Sequence, residues 1–117
     1  MNPIAVLIHV SDVQLGFEWY KTAFPAAVED KLEGCPLSVL RFNGFWIEIV
    51  LADEKVSSGK SGTVVYWSVD HLTDSLKRFY SLGAKLYRGP MDIEDGLSMC
   101  QVEDPFGNLI GLRGKLS

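Results

Sequence analysis

Histidine, cysteine and basic charge are all scarce in this chain, and each scarcity removes a class of function. There are two histidines and two cysteines. A non-haem iron centre alone takes two His and a carboxylate, so both histidines would have to converge on one site. Cys35 and Cys100 lie far apart, in no metal or redox spacing, and are expected to be free and largely buried thiols. No segment approaches the roughly 18 consecutive apolar residues of a membrane helix, so no membrane partner is expected. Eleven basic residues stand against fifteen acidic ones, for a net charge of −4, and they form no cluster or stripe. Nucleic acid is therefore not an expected partner. Met1-Asn2-Pro3-Ile4 has no basic lead and no small-residue cleavage site. The following apolar run is expected to be a strand rather than a signal peptide, which places the protein in the cytoplasm. The acidic balance is compatible with a cationic small ligand.

What the chain does have is a repeated pattern in a single domain's worth of sequence, 117 residues. Each half opens on a short apolar run rich in β-branched or aromatic residues, Ile4 to Val10 and Val64 to Val69. Each run ends at a helix-start signal. Ser11 with Gln14 three residues on fits a capping box, and Asp70 is an equally good cap. Val13, Phe17, Tyr20 and Phe24 then mark one apolar helix face, and Leu72, Leu76 and Phe79 mark the other. Gly83 stands where a helix C-cap belongs. Val10/Val69, Val13/Leu72, Phe17/Leu76 and Tyr20/Phe79 share an offset of 59, while Gly44–Ile49 matches Gly107–Leu112 at an offset of 63.

After each helix there is room for three strands, predicted at Ala27–Leu32, Leu37–Phe42 and Phe45–Leu51, then Lys85–Arg88, Leu97–Val102 and Asn108–Arg113. Asn43-Gly44 is a tight-hairpin signal, and Pro105-Phe106-Gly107-Asn108 is its counterpart. The polar stretch 53–62 reads as a connector between a first module of about 1–52 and a second of about 63–115. The fold class is α+β: two tandem βαβββ modules forming a cupped, mostly antiparallel eight-stranded sheet with helices on the convex side.

The residues that carry a family likeness are Val10-Ser11-Asp12-Val13 running into a helix with Trp19-Tyr20, and Ser68-Val69-Asp70 running into a helix that ends Leu82-Gly83-Ala84. The third is Val102-Glu103-Asp104-Pro105-Phe106-Gly107-Asn108-Leu109-Ile110, close to an Asp-Pro-x-Gly-Asn closing hairpin. Together they resemble the glyoxalase / bleomycin-resistance / extradiol-dioxygenase superfamily, the vicinal oxygen chelate fold, across essentially the whole chain. The resemblance implies four metal-ligand positions, and here they hold Ala5, Glu48, Val64 and Gly111. Three of them have no side-chain donor, whereas a catalytic metal takes about three protein ligands. The expectation is a chain with no metal and no cofactor. Of the two histidines, His71 is expected at the surface, and His9 lies four residues beyond a ligand position, on the same strand face.

Strand alternation, anchored on those four positions, sorts the concave face. Ala5, Leu7 and His9 point inward, as do Trp46, Glu48 and Val50, Val64, Tyr66 and Ser68, and Leu109, Gly111 and Arg113. Arg41 and Gln101 stay unassigned. The small residues at 5, 64 and 111 are expected to leave room. Glu48 is the one carboxylate in an apolar strand and needs a partner, with Arg113 or Tyr66 as candidates. The candidate ligand-binding residues are therefore His9, Trp46, Glu48, Tyr66, Ser68 and Arg113, with Trp46 and Tyr66 suited to stacking on a flat or cationic ligand.

The function this favours is metal-independent binding or sequestration of a small cationic or aromatic compound, as in the bleomycin-resistance branch. The resemblance also implies a homodimer. One alternative is a metal-free lyase or isomerase with Glu48 as its catalytic general base. Another is a metal enzyme of glyoxalase or dioxygenase type with unconventional ligands: His9, Glu48 and a residue from a partner chain.

Overall fold

A computed structural model of the chain describes residues 1–34 and 37–117. Cys35, one of the two thiols expected to be buried, lies outside the described residues. Cys100 is fully buried, and that burial pushes its thiol up to about 11. The chain divides into two compact units, Met1–Ser58 and Gly59–Ser117. Among the described residues no helix is long and apolar enough to cross a membrane.

The first unit runs β1 (Ala5–Val10), α1 (Val13–Ala23), β2 (Val28–Lys31), β3 (Ser38–Phe42) and β4 (Phe45–Leu51). Its strands form one sheet in the order β1-β4-β3-β2, with β1 parallel to β4 and the remaining ladders antiparallel. Asn43-Gly44 makes the tight turn expected of it: Phe42 pairs with Phe45, and Gly44 takes φ +76°, a conformation that costs glycine little. Helix α1 is capped by Asp12 rather than Ser11, the Asp12 carboxylate accepting the Leu15 N–H at 3.1 Å. It lies close against the sheet because Gly16 has no side chain. A Cβ there would sit 2.9 Å from Val10 Cγ2. Val10, Tyr20, Leu40, Ile47 and Ile49 form the core beneath the helix.

The second unit repeats the plan with β5 (Tyr66–His71), α2 (Leu72–Ser81), β6 (Lys85–Asp92), β7 (Ser98–Glu103) and β8 (Leu109–Lys115), in the order β5-β8-β7-β6. Again the first strand is parallel to the last and the rest are antiparallel. The repeat extends to the register. Leu7 pairs with Glu48 in the first unit and Tyr66 with Gly111 in the second, and these pairs are related by the two offsets found in the sequence. Leu72, Leu76 and Phe79 form the buried face of α2, as their spacing predicts, and Val102, Ile110 and Leu112 are buried on the strands. Gly83 closes that helix at φ +91°, donating its N–H to Tyr80 O while Ala84 donates to Phe79 O. The chain is thus α+β, with two helices and eight strands among its described residues, in two mixed four-stranded sheets.

Several predicted boundaries move. Strand β5 begins at Tyr66, not Val64, and runs through Asp70 to His71, which becomes the N-cap of α2 without a side-chain cap bond. Strand β6 continues to Asp92, past Gly89-Pro90, because it is an edge strand and an edge tolerates a residue that cannot donate. The closing hairpin of β7 and β8 has a longer turn than its counterpart. Glu103 pairs with Leu109, and the buried Asp104 carboxylate accepts the backbone N–H of Phe106 (2.8 Å) and Asn108 (2.9 Å). The aspartate of the Asp-Pro-Phe-Gly-Asn run thus holds a turn.

Candidate functional site

In the first unit β4 is apolar on both faces except at one point. Ile47 and Ile49 are buried on the helix side, so Trp46, Glu48 and Val50 share the other face, each half-buried. Parallel pairing puts Ala5 beside Trp46, Leu7 beside Glu48 and His9 beside Val50. The antiparallel ladder on the far side puts Arg41 beside Trp46, and Val28 beside Arg41. Arg41, unassigned from the sequence, therefore belongs to the face of Glu48, as does the buried Val39, which alternates with Leu40.

The polar groups of this face are linked in a line. Trp46 Nε1–H donates to Glu48 Oε1 at 2.9 Å. The Arg41 guanidinium stands over the Trp46 ring, 5.6 Å from its centroid, and its Nε donates to Asp30 Oδ2 at 2.8 Å. That bond holds the Asp30 carboxyl below the usual carboxylate range. Glu48 thus has a partner in its own strand, the indole two residues away, which the sequence reading had not weighed beside Arg113 and Tyr66. Leu7 beside it remains 49% exposed, an apolar side chain on a face that also carries charge. His9 lies at the end of β1, and its charge is a minor cause of the lowered pKa of Asp53, after that carboxylate's bonds from the backbone N–H of Val56 and Lys55.

The matching face of the second unit is built differently. The position corresponding to Glu48 is Gly111, and the ring of Tyr66 lies directly on it. A Cβ at Gly111 would sit 2.6 Å from Tyr66 Cγ. The room expected at Gly111 is taken by the unit's own phenol. Gln101, also unassigned from sequence, pairs with Gly111 and donates from Nε2 to the Tyr66 hydroxyl at 2.8 Å. The Arg113 guanidinium lies 5.9 Å from the Tyr66 ring centre and 3.4 Å from the Glu94 carboxylate. Ser68, two residues past Tyr66 on β5, pairs with Arg113 and is exposed. Val64 falls just before β5 and is half-buried. His71 is exposed, as expected.

The six candidate residues thus fall into two groups, each on one sheet: His9, Trp46 and Glu48 in the first unit, Tyr66, Ser68 and Arg113 in the second. Sequence reasoning left Arg41 and Gln101 unassigned and missed Asp30 and Glu94. For Arg41 the signal was present. A two-residue turn at Asn43-Gly44 pairs 42 with 45 and hence 41 with 46.

The superfamily's metal does not fit the donor set. Of the four positions where the resemblance places ligands, Ala5, Val64 and Gly111 offer no donor, and Glu48 is engaged by an indole N–H. Among the described residues no group of three or more His, Cys, Asp or Glu side chains could hold a metal ion.

Comparison with known proteins places this geometry in context. The family model for the Glyoxalase/Bleomycin resistance protein/Dioxygenase superfamily matches residues 2–112. None of the curated proteins matches the chain in sequence. Among solved structures, a glyoxalase-related enzyme from Fulvimarina pelagi superposes with a TM-score of 0.77 at 15% identity, over 98% of this chain and 88% of that one. A protein from the mobile metagenome of V. pseudocholerae gives 0.75 at 17% identity, over 97% and 94%. The genomically encoded fosfomycin resistance protein FosX of Listeria monocytogenes gives 0.72 at 15% identity, over 97% and 91%. At such identities the structural likeness speaks for the fold, and the family model, spanning nearly every residue, speaks for descent. The chain belongs to the glyoxalase/bleomycin resistance protein/dioxygenase superfamily.

Proposed function

We propose that this protein is a metal-independent small-molecule-binding member of its superfamily, one that holds or sequesters a cationic or aromatic compound. The observation that carries this reading is the 2.9 Å hydrogen bond from the Trp46 indole to Glu48, on a face where the neighbouring ligand position is alanine. An indole N–H on Oε1 orients the carboxylate and leaves Oε2 for a ligand. The indole and Leu7 offer apolar contact for a ring, and Glu48 offers charge for an ammonium or amidinium group. In the second unit the Tyr66 ring offers the same apolar contact and the Ser68 hydroxyl a hydrogen bond, while the Arg113 guanidinium offers charge of the opposite sign, suited to an acid group. The family resemblance supports reading the protein as a homodimer, which light scattering on the purified protein checks.

Calorimetry against cationic aromatic compounds, with bleomycin-like molecules and fosfomycin in the panel because related proteins bear those names, tests the reading. Binding should appear for a cationic aromatic and weaken about fivefold in Glu48→Gln, as for a partly exposed ion pair. Silence across the panel, or full binding by Glu48→Gln, contradicts it.

A second reading has a specific observation behind it. The bond from Trp46 fixes one oxygen of Glu48, an arrangement suited to a general base that removes a proton with the other. Under that reading Glu48→Gln loses turnover of any substrate found, while Trp46→Phe keeps part of it.

A further inference from the structure

Two opposite charges flank one aromatic ring in the first unit, and together they specify more about the ligand than either alone. Glu48 lies at the N–H edge of the Trp46 indole, fixed by the bond it accepts. Arg41 lies over the ring, fixed by stacking and by its Nε bond to Asp30. Because that bond uses only Nε, both Nη groups are without a partner among the described residues. The Arg41 side chain remains 41% exposed. A guanidinium held at Nε and laid on a ring is pre-ordered, so its Nη groups can meet an acid without the usual loss of side-chain freedom. The ladder fixes the spacing. Arg41, Trp46 and Ala5 form one row across the sheet, and Glu48 and Leu7 form the next row on the same face. Ala5 leaves the row beside the indole low, and Leu7 gives an apolar floor beside the carboxylate.

We propose that this face is a recognition site for a small zwitterion with an aromatic or apolar body, its ammonium on Glu48, its acid group on the Nη groups of Arg41 and its body against Trp46. The proposal rests on the ligand-binding reading above and narrows it. A purely cationic compound meets attraction at Glu48 and repulsion at Arg41. A purely anionic one meets the reverse. Only a ligand carrying both charges satisfies the pair, with Asp30 as the brace that keeps Arg41 in place.

Four probes sharing one ring separate these cases: phenethylamine, 3-phenylpropionate, phenylalanine and phenethyl alcohol. Each is titrated into the full chain labelled with ¹⁵N, and the Trp46 indole N–H signal, assigned by its loss in Trp46→Phe, reports binding. Phenylalanine should bind about fivefold more tightly than phenethylamine, the upper end for one exposed ion pair. Arg41→Gln should bring phenylalanine down to the level of phenethylamine, and Glu48→Gln should bring it down to that of 3-phenylpropionate. Arg88→Gln, an exposed arginine on β6, should do neither. If phenethylamine binds as tightly as phenylalanine, or Arg41→Gln leaves their ratio intact, the zwitterion proposal is overturned while the cationic-ligand reading stands. If none of the four moves the Trp46 signal, this proposal fails, and the broader reading is then judged by the calorimetric panel.

Discussion

The two units share one scaffold and differ at the point that matters for chemistry. Both pair the first strand in parallel with the last, both bury two branched residues of the last strand under a helix, and both turn on a left-handed glycine, Gly44 or Gly107. Yet Glu48, with an indole donating to it, corresponds to Gly111, with a phenol ring lying on it. Both units also set an arginine over an aromatic ring, but in different ways. Arg41 and Trp46 are cross-strand neighbours, braced by Asp30, whereas Arg113 reaches Tyr66 from the parallel partner strand and leans on Glu94. The difference shows which features the fold needs and which are free to change. Register, buried faces and turn glycines persist, while the side chains at the superfamily's ligand positions diverge.

The sharpest way to break the comparison is at Gly111. Gly111→Ala forces the Tyr66 ring to move and should lower stability by about 2 kcal/mol, as other overpacked sites do. Urea unfolding measures it. The cost should fall in a Tyr66→Ala background, since the two sites share one contact. A neutral Gly111→Ala would mean that the ring does not rest on the glycine. A smaller contrast lies at the helix starts. Asp12→Ala removes a cap bond from α1 and should cost about 1 kcal/mol, whereas His71→Asp gives α2 a cap it lacks and should add up to about 1 kcal/mol. Shifts of the urea midpoint at constant slope would register both.

The smallest expected effect is on acid stability. Three carboxylates of the first unit have lowered pKa values: Glu29 by its bond from Lys21, Asp30 by its bond from Arg41, and Asp53 by the N–H groups of Val56 and Lys55. A carboxylate with a lowered folded pKa adds stability above its unfolded value, and that stability is lost as pH falls through the folded one. The contribution should therefore be complete at neutral pH and fade below the ordinary carboxylate range. Because all three are exposed pairs or turns, it should be slight and weakened further by salt. Carboxyl chemical shifts followed by pH in the intact chain check the order of titration.

Much of the fold was legible because repetition does not depend on fine detail. Strand β4, Phe45–Leu51, matches its expected bounds because a run of aromatic and aliphatic residues, broken only by Glu48, follows an Asn-Gly turn. The caps were misplaced because Ser11 and Asp12 are both good cap residues and only the entry angle of the chain chooses between them. Strand β5 slid by two residues because Val64 and Val65 are as strand-like as Tyr66. The strand predicted at Lys85–Arg88 runs on to Asp92, because an edge position that admits Pro90 is not visible in local sequence. That Trp46, Glu48 and Val50 share a face was legible from alternation anchored on the family's ligand positions. The partner of Glu48 was not, because a residue two along the same strand was not weighed against charged residues far away. The fate of Gly111 was hidden as well. A glycine looks like empty space until the ring that fills it is in place.

The account stands on the first unit's face being an organic-ligand site in which Glu48 acts beside Trp46 and Arg41. A crystal structure of the intact protein purified without chelators tests that most directly. Density for an organic molecule against the Trp46 indole, with a donor on Glu48, is the expected result. A metal ion bound to Glu48, or a ligand that leaves Trp46 and Arg41 untouched, would contradict it.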